Sequence, residues 1–180
     1  MVESEITRDT RRQAMEQTRE FYCADELATR RCACLLAAQA EPGLVITLDG
    51  PLGAGKTHFV KAFGEALGVP ASEINSPTYV IVQHYAGRLQ LHHFDLYRLQ
   101  DEDEWYELGA DELFESTGVC LVEWANRFPR LLPIDRIAIA IVVEGLHSRK
   151  LVVQARGDCS LRILAAWSRT WETCSPAENG

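Results

Sequence analysis

The sequence predicts an α/β domain on a mixed sheet, with parallel and antiparallel strands together and helices on its flanks. Three observations predict it. The apolar, β-branched run Leu44-Val45-Ile46-Thr47-Leu48 leads into a glycine-rich loop, Gly50 to Thr57, and then into a helical pattern; strand, loop and helix in that order open an α/β unit. A second apolar run, Val119-Cys120-Leu121-Val122, ends in an acid, Glu123, and reads as another buried strand. Tyr79 to Val82 and Leu89 to Phe94 flank Ala86-Gly87, the pattern of an antiparallel hairpin.

The elements follow in order. Residues 1–20, with Arg8, Arg11, Arg12 and Arg19 among their charges, are expected to be a flexible extension. The domain proper is expected over 21–172. From Asp25 to Ala38, Leu27, Ala28, Arg31, Leu35 and Ala38 recur at helical spacing behind Asp25 as N-cap. Pro42-Gly43 ends that helix. After the glycine loop, Phe59, Val60, Phe63, Ala66 and Leu67 mark a second helix, stopped by Gly68 and Pro70. Ser76-Pro77-Thr78 is a loop ahead of the hairpin. Asp101 to Glu115 carries eight acidic residues and no basic one; it reads as one or two short helices with a solvated acidic face. Arg136 to Val143 and Lys150 to Ala155 are two more strands, Leu161 to Trp171 a closing helix, and 173–180 a flexible tail.

At 180 residues, 47% of them apolar, the chain can bury a full core as one domain. No apolar run reaches the length of a membrane span, and Met1 to Glu5 has no basic stretch leading into an apolar core, so neither a membrane protein nor a secretory leader is expected. The six cysteines show no Cys-x-x-Cys pair; reduced thiols in a cytoplasmic protein are the reading. Net charge is −8, with lysine only at positions 56, 61 and 150. Nucleic-acid affinity comes mainly from basic residues on phosphates, so contact with nucleic acid is expected only through a partner.

Gly50-Pro51-Leu52-Gly53-Ala54-Gly55-Lys56-Thr57 matches the full G-x-x-x-x-G-K-[ST] pattern. A triphosphate is a dense cluster of negative charge. Backbone N–H groups of such a loop wrap it and set it at the positive end of the following helix. Gly53, Ala54, Gly55, Lys56, Thr57 and His58 form the expected nucleotide-binding stretch; the Lys56 ammonium reaches the outer phosphates and the Thr57 hydroxyl can ligate Mg²⁺. The fold class is therefore a single P-loop NTPase domain. Glu123 sits at the carboxyl end of a buried strand, where ligands of α/β sheets gather, and is the candidate second metal-organising carboxylate. Asp95, past the strand ending His93-Phe94, is either a turn residue or an acid that orients or deprotonates water. Strand alternation puts His93 and Asp95 on one face and turns His92, read as a satisfied sheet residue, to the other. Ser76-Pro77-Thr78 has the make-up both of an ordinary turn and of a loop that senses the γ-phosphate. Trp124 fits a core position or a place against the base or ribose.

Together these residues resemble one family, the small bacterial ATPase TsaE, which serves in making threonylcarbamoyladenosine (t6A) on tRNA. The resemblance rests on Gly-x-Leu-Gly-Ala-Gly-Lys-Thr at Gly50 to Thr57, Ser76-Pro77-Thr78, His93-x-Asp95-x-Tyr97-Arg98-Leu99 and Leu121-Val122-Glu123-Trp124, about half of the chain in span. It implies Lys56 on the phosphates, Thr57 and Glu123 on Mg²⁺, Asp95 as the catalytic or water-positioning acid, Thr78 in a switch loop and Trp124 near the nucleotide. It implies ATP as the nucleotide and the TsaD and TsaB subunits as partners, with tRNA reached only through that complex. Pro51 stands where many members carry an acid, and Ala125 follows Trp124 where proline is frequent. A small-molecule kinase on the same scaffold is the alternative; it needs an arginine-bearing lid, and Glu123 to Arg136 leaves room for only a short helix.

Overall fold

The computed structural model describes residues 16–75 and 81–174. Seven strands form one sheet in the order β1-β7-β6-β2-β5-β4-β3. They are β1 (Glu16–Cys23), β2 (Val45–Asp49), β3 (Val82–Tyr85), β4 (Leu91–Asp95), β5 (Val119–Glu123), β6 (Arg136–Val143) and β7 (Arg149–Arg156). The helices are α1 (Glu26–Ala38), α2 (Lys56–Ala66), α3 (Glu102–Glu107), α4 (Ala110–Phe114) and α5 (Asp158–Cys174), with a single 3₁₀ turn (Ala125–Arg127) among the described residues. β2 lies parallel to β5 and β6, and β4 parallel to β5, while β1–β7, β6–β7 and β3–β4 pair antiparallel. The sheet is mixed, as the sequence predicts.

The central strands β2, β4 and β5 are buried along almost their whole length; β2 and β5 accordingly read as near-continuous apolar runs, whereas β4 buries His92 and His93 as well. On one face, Ile46, Leu48, Leu121, Ile139 and Val153 pack with Phe59 and Phe63 of α2, Leu36 of α1 and Trp167 of α5. Trp167 stacks on Phe21 at 4.3 Å and donates its indole N–H to the Cys32 carbonyl at 3.1 Å. On the other face, Val45, Phe94, Cys120 and Val122 meet Trp105 and Ala110. The acidic segment thus folds as two short helices that leave most of their carboxylates exposed and hang on one buried indole. Asp25 caps α1 through Ala28 N–H, and Asp101 caps α3 through Glu104 N–H.

Several boundaries differ from expectation, these most of all. β1 starts at Glu16, so residues 16–20 belong to the sheet and not to an extension. Only Phe21 and Cys23 of that strand are buried; pairing with β7, and not its own hydrophobic pattern, makes it a strand. β3 is described from Val82, after Ile81 at φ +28°, and the expected strand residues Tyr79 and Val80 lie outside the described residues. α5 runs longer than its apolar pattern, from Asp158 to Cys174, because Asp135 reaches across to accept from the N–H groups of Cys159 and Ser160. Its last residues, Thr173 and Cys174, fall in the expected tail. The expected loop at Ser76-Pro77-Thr78 lies outside the described residues.

Candidate active site

Parallel pairing assembles the site. β2, β4 and β5 end together, so Leu48 and Asp95 both lie across from Glu123 in register. The loop that follows β2 therefore opens beside the carboxylates that close β4 and β5. Gly50 cannot carry a side chain there: a Cβ would stand 2.7 Å from the Ile141 carbonyl oxygen of β6. Gly53 and Gly55 have open space around them but sit at φ +77° and +110°, a region that side chains disfavour. α2 then starts at Lys56 with no side-chain cap on its first turn, which leaves that turn's amides to point into the cleft.

The cleft has a volume of about 320 Å³ and is lined by Leu52, Gly53, Gly55, Lys56, Thr57, His58, Asp95, Tyr97, Glu123 and Trp124. Residues far apart in sequence and singled out from it thus share one wall. The Thr57 hydroxyl lies 2.9 and 3.1 Å from the two oxygens of Glu123, and His93 Nε2 lies 2.9 Å from Glu123 Oε1. Glu123 is only 2% exposed. Asp95 Oδ1 accepts from the Tyr97 N–H at 3.0 Å, so it does take a turn role. That role leaves the carboxylate on the cleft wall.

Lys56 donates to the Gly50 and Pro51 carbonyls at 2.9 and 3.0 Å, and its ammonium stands 3.6 Å from the centroid of the Trp124 ring. Burial lowers its pKa, opposed by the carboxylates of Glu123, Asp95 and Asp49. Trp124 holds φ +61°, a left-handed backbone, and its ring also meets Tyr97 at 5.0 Å. It therefore covers the lysine end of the cleft. A second hollow of about 180 Å³ shares Gly55 and His58 with the cleft and continues past Ala54 to Glu26, Thr29, Leu146, His147 and Arg149. His92 points to the opposite face, where its Nδ1 meets His84 Nδ1 at 2.7 Å. Thr78 lies outside the described residues.

Three residues take roles that the sequence reading does not give them. Arg149 donates from Nε to the Ala54 carbonyl at 2.9 Å and from Nη1 to Gly145 and Ser148, tying the β6–β7 turn to the glycine loop. Arg127 donates to the carbonyls of Leu96 and Tyr97 and so braces the turn that carries Asp95. Asp49 accepts from Asn126 N–H at 3.0 Å and anchors the 3₁₀ turn beside Trp124; burial raises its pKa. Asp49, an acid at the end of a buried strand, could have been found by the rule that finds Glu123. Nothing local marks the two arginines.

The donors near Thr57 suit a hard cation. A hydroxyl and a carboxylate in contact offer oxygen ligands only, as Mg²⁺ prefers, with room for substrate oxygens to complete its shell. Among the described residues no group of three or more His, Cys, Asp or Glu is placed to hold a metal unaided, and Mg²⁺ at nucleotide sites needs few protein ligands.

The model of the family described as threonylcarbamoyl adenosine biosynthesis protein TsaE matches residues 23–151. A tRNA threonylcarbamoyladenosine biosynthesis protein TsaE from Bacillus subtilis is 47% identical over 131 residues, 72% of this chain and 81% of that one. Its namesake from Treponema pallidum is 38% identical, covering 69% and 92% of the two chains, and that from Haemophilus influenzae 31%, covering 82% and 96%. The crystal structure of Bacillus subtilis YdiB superposes with a TM-score of 0.70 at 36% identity, over 87% of this chain and 97% of that one. With a family model matching residues 23–151, relatives at 31–47% identity over most of its length and a shared fold, the chain belongs to the TsaE family.

Proposed function

We propose that this protein binds ATP with Mg²⁺ and hydrolyses it in the service of t6A formation on tRNA, acting on a complex of the TsaD and TsaB subunits. The observation that carries the hydrolase reading is the contact of Thr57 with Glu123 at the start of α2, in one cleft with Lys56 and Asp95. A loop that only held phosphate would have no need of two buried acids at its metal side.

The amides of Gly53 to Thr57 and the N-terminus of α2 take the β- and γ-phosphates. Lys56 turns from the Gly50 and Pro51 carbonyls to the phosphate oxygens, which restores the charge partner that its burial calls for. Thr57 and Glu123 would hold Mg²⁺, which when bound would neutralise the charge that develops on the phosphates. Asp95 orients a water and takes its proton as the water oxygen bonds to the γ-phosphorus. The bond from that phosphorus to the β–γ bridging oxygen breaks, and its electrons leave with ADP. Trp124 shields Lys56 from bulk water, and the hollow lined by His58, His147 and Arg149 takes the nucleoside.

Arg127 is committed to the Leu96 and Tyr97 carbonyls and so is not placed to act as a charge-stabilising arginine on the phosphates, which suits an enzyme that is slow until a partner completes it. No described helix is long and apolar enough to cross a membrane, and we place the protein in the cytoplasm with its tRNA-modifying partners. The test is ATP hydrolysis with Mg²⁺ by the purified protein, alone and with a TsaD–TsaB complex. Slow turnover that the complex stimulates and Lys56→Ala abolishes is the expected result. Wild-type turnover by Lys56→Ala, or no response to and no binding of the complex, overturns the proposal.

A further inference from the structure

The structure assigns His93 a positioning role: its Nε2–H pins one oxygen of Glu123 so that the carboxylate presents its other lone pairs to a cation beside Thr57. The inference rests on the Mg²⁺-dependent reading above and extends it to a residue outside the cleft wall.

His93 lies on β4 and Glu123 on the adjacent parallel strand β5, where His93 is in register with Leu121, two residues before Glu123. Both side chains are shut away from solvent, at 0% and 3% exposure, with His93 Nε2 at 2.9 Å from Glu123 Oε1. A carboxylate can only accept, so Nε2 carries the proton. Nδ1 is buried and has no hydrogen-bond partner among the described residues. A histidine kept only to satisfy the core would pair both nitrogens, since an unpaired buried polar atom costs stability. Among the described residues this ring leaves one nitrogen unpaired and directs the other at the carboxylate that accepts from Thr57.

The consequence is geometric. A glutamate has three rotatable bonds, and a buried carboxylate that can swing offers a poor ligand to Mg²⁺, which demands near-ideal geometry. Two groups restrain this one: the Thr57 hydroxyl from the cleft side and His93 from the sheet side. A cation that recruits the Thr57 oxygen takes away the first restraint, because the hydroxyl can no longer serve the carboxylate alone. His93 is then the holder that remains. Its ring is fixed by the strand and by complete burial, so it needs no reordering when metal arrives.

The experiment measures binding of a non-hydrolysable ATP analogue by calorimetry across a Mg²⁺ titration, on wild type, His93→Leu, His93→Gln and His93→Asn. His93→Leu removes the donor, and the Mg²⁺ concentration for half-maximal tightening should rise about 10- to 100-fold, with metal-free analogue binding unchanged. Gln places an amide nitrogen near the position of Nε2 and Asn near that of Nδ1, so Gln should restore most of the Mg²⁺ response and Asn should not. If His93→Leu fails to fold, the contrast between Gln and Asn carries the test. A folded His93→Leu with an unchanged Mg²⁺ midpoint, or equal responses from Gln and Asn, overturns the assignment and leaves the ATPase reading intact. Wild-type analogue binding that ignores Mg²⁺ overturns both.

Discussion

Replacing Glu123 with glutamine separates what this carboxylate does for the fold from what it does for catalysis. The residue is 2% exposed and receives the Thr57 hydroxyl at 2.9 and 3.1 Å and His93 Nε2 at 2.9 Å. Glutamine has the same shape. Its oxygen can accept from His93, and its NH₂ can donate to Thr57 Oγ1, which accepts as readily as it donates. Both present partners keep a hydrogen bond. Two charge-assisted bonds become neutral ones, a loss of about 1 kcal/mol each. Lys56 loses one of three nearby carboxylates but keeps Asp95 and Asp49. Against these losses, a buried carboxylate carries a desolvation penalty of several kcal/mol, on the order of the loss or larger, which the amide escapes.

Metal-free Glu123→Gln should therefore unfold at or slightly above the wild-type temperature, by roughly 0–4 °C for a domain of this size. Catalysis should respond in the opposite way. A neutral amide is a poor Mg²⁺ ligand, so turnover should fall at least about 100-fold and the Mg²⁺-dependent part of ATP stabilisation should vanish. The assays are thermal unfolding with and without Mg²⁺–ATP and phosphate release under saturating substrate. Turnover within tenfold of wild type would refute the metal role. Unfolding more than about 5 °C below wild type would refute the contact accounting.

Arg127→Met should free the turn after Asp95, lowering kcat about 10- to 100-fold with little change in nucleotide affinity; equal losses in both would point to a nucleotide contact. Arg149→Met should destabilise the fold by about 1–3 kcal/mol, read as a lower urea midpoint, and weaken nucleotide binding by releasing the Ala54 carbonyl. Asp135→Ala should cost about 0.5–2 kcal/mol through the lost cap on α5, with hydrolysis unaffected at temperatures where the fold persists. Burial first, and His84 second, lower the pKa of His92. The unfolded chain then binds the extra proton first, so this contribution is full above about pH 6.5 and declines as pH falls toward the folded value. The urea midpoint should drop from about pH 7.5 to about pH 5.5, and less steeply in His92→Gln; an equal slope would exclude this pair.

What the sequence determined by itself is everything that works over a few residues. Asp25 and Asp101 cap helices because a short oxygen-bearing side chain reaches its own first turn. Gly53 and Gly55 mark a loop because only they accept its backbone cheaply. Buried central strands announce themselves because both faces must be apolar. Even Asp95 and Glu123 were legible as strand-end acids, since each sits just where an apolar run stops.

Only the tertiary structure decided which of these ends meet. Parallel register puts Asp95 across from Glu123 and sets His93 against it. β1 is a strand because β7 is there to pair with. Arg149 serves a loop 95 residues away, and Asp135 caps a helix from the far side of two strands. These contacts depend on where the folded sheet delivers a long side chain, and residue identity leaves that open: an arginine reads the same whether it faces water or a buried carbonyl.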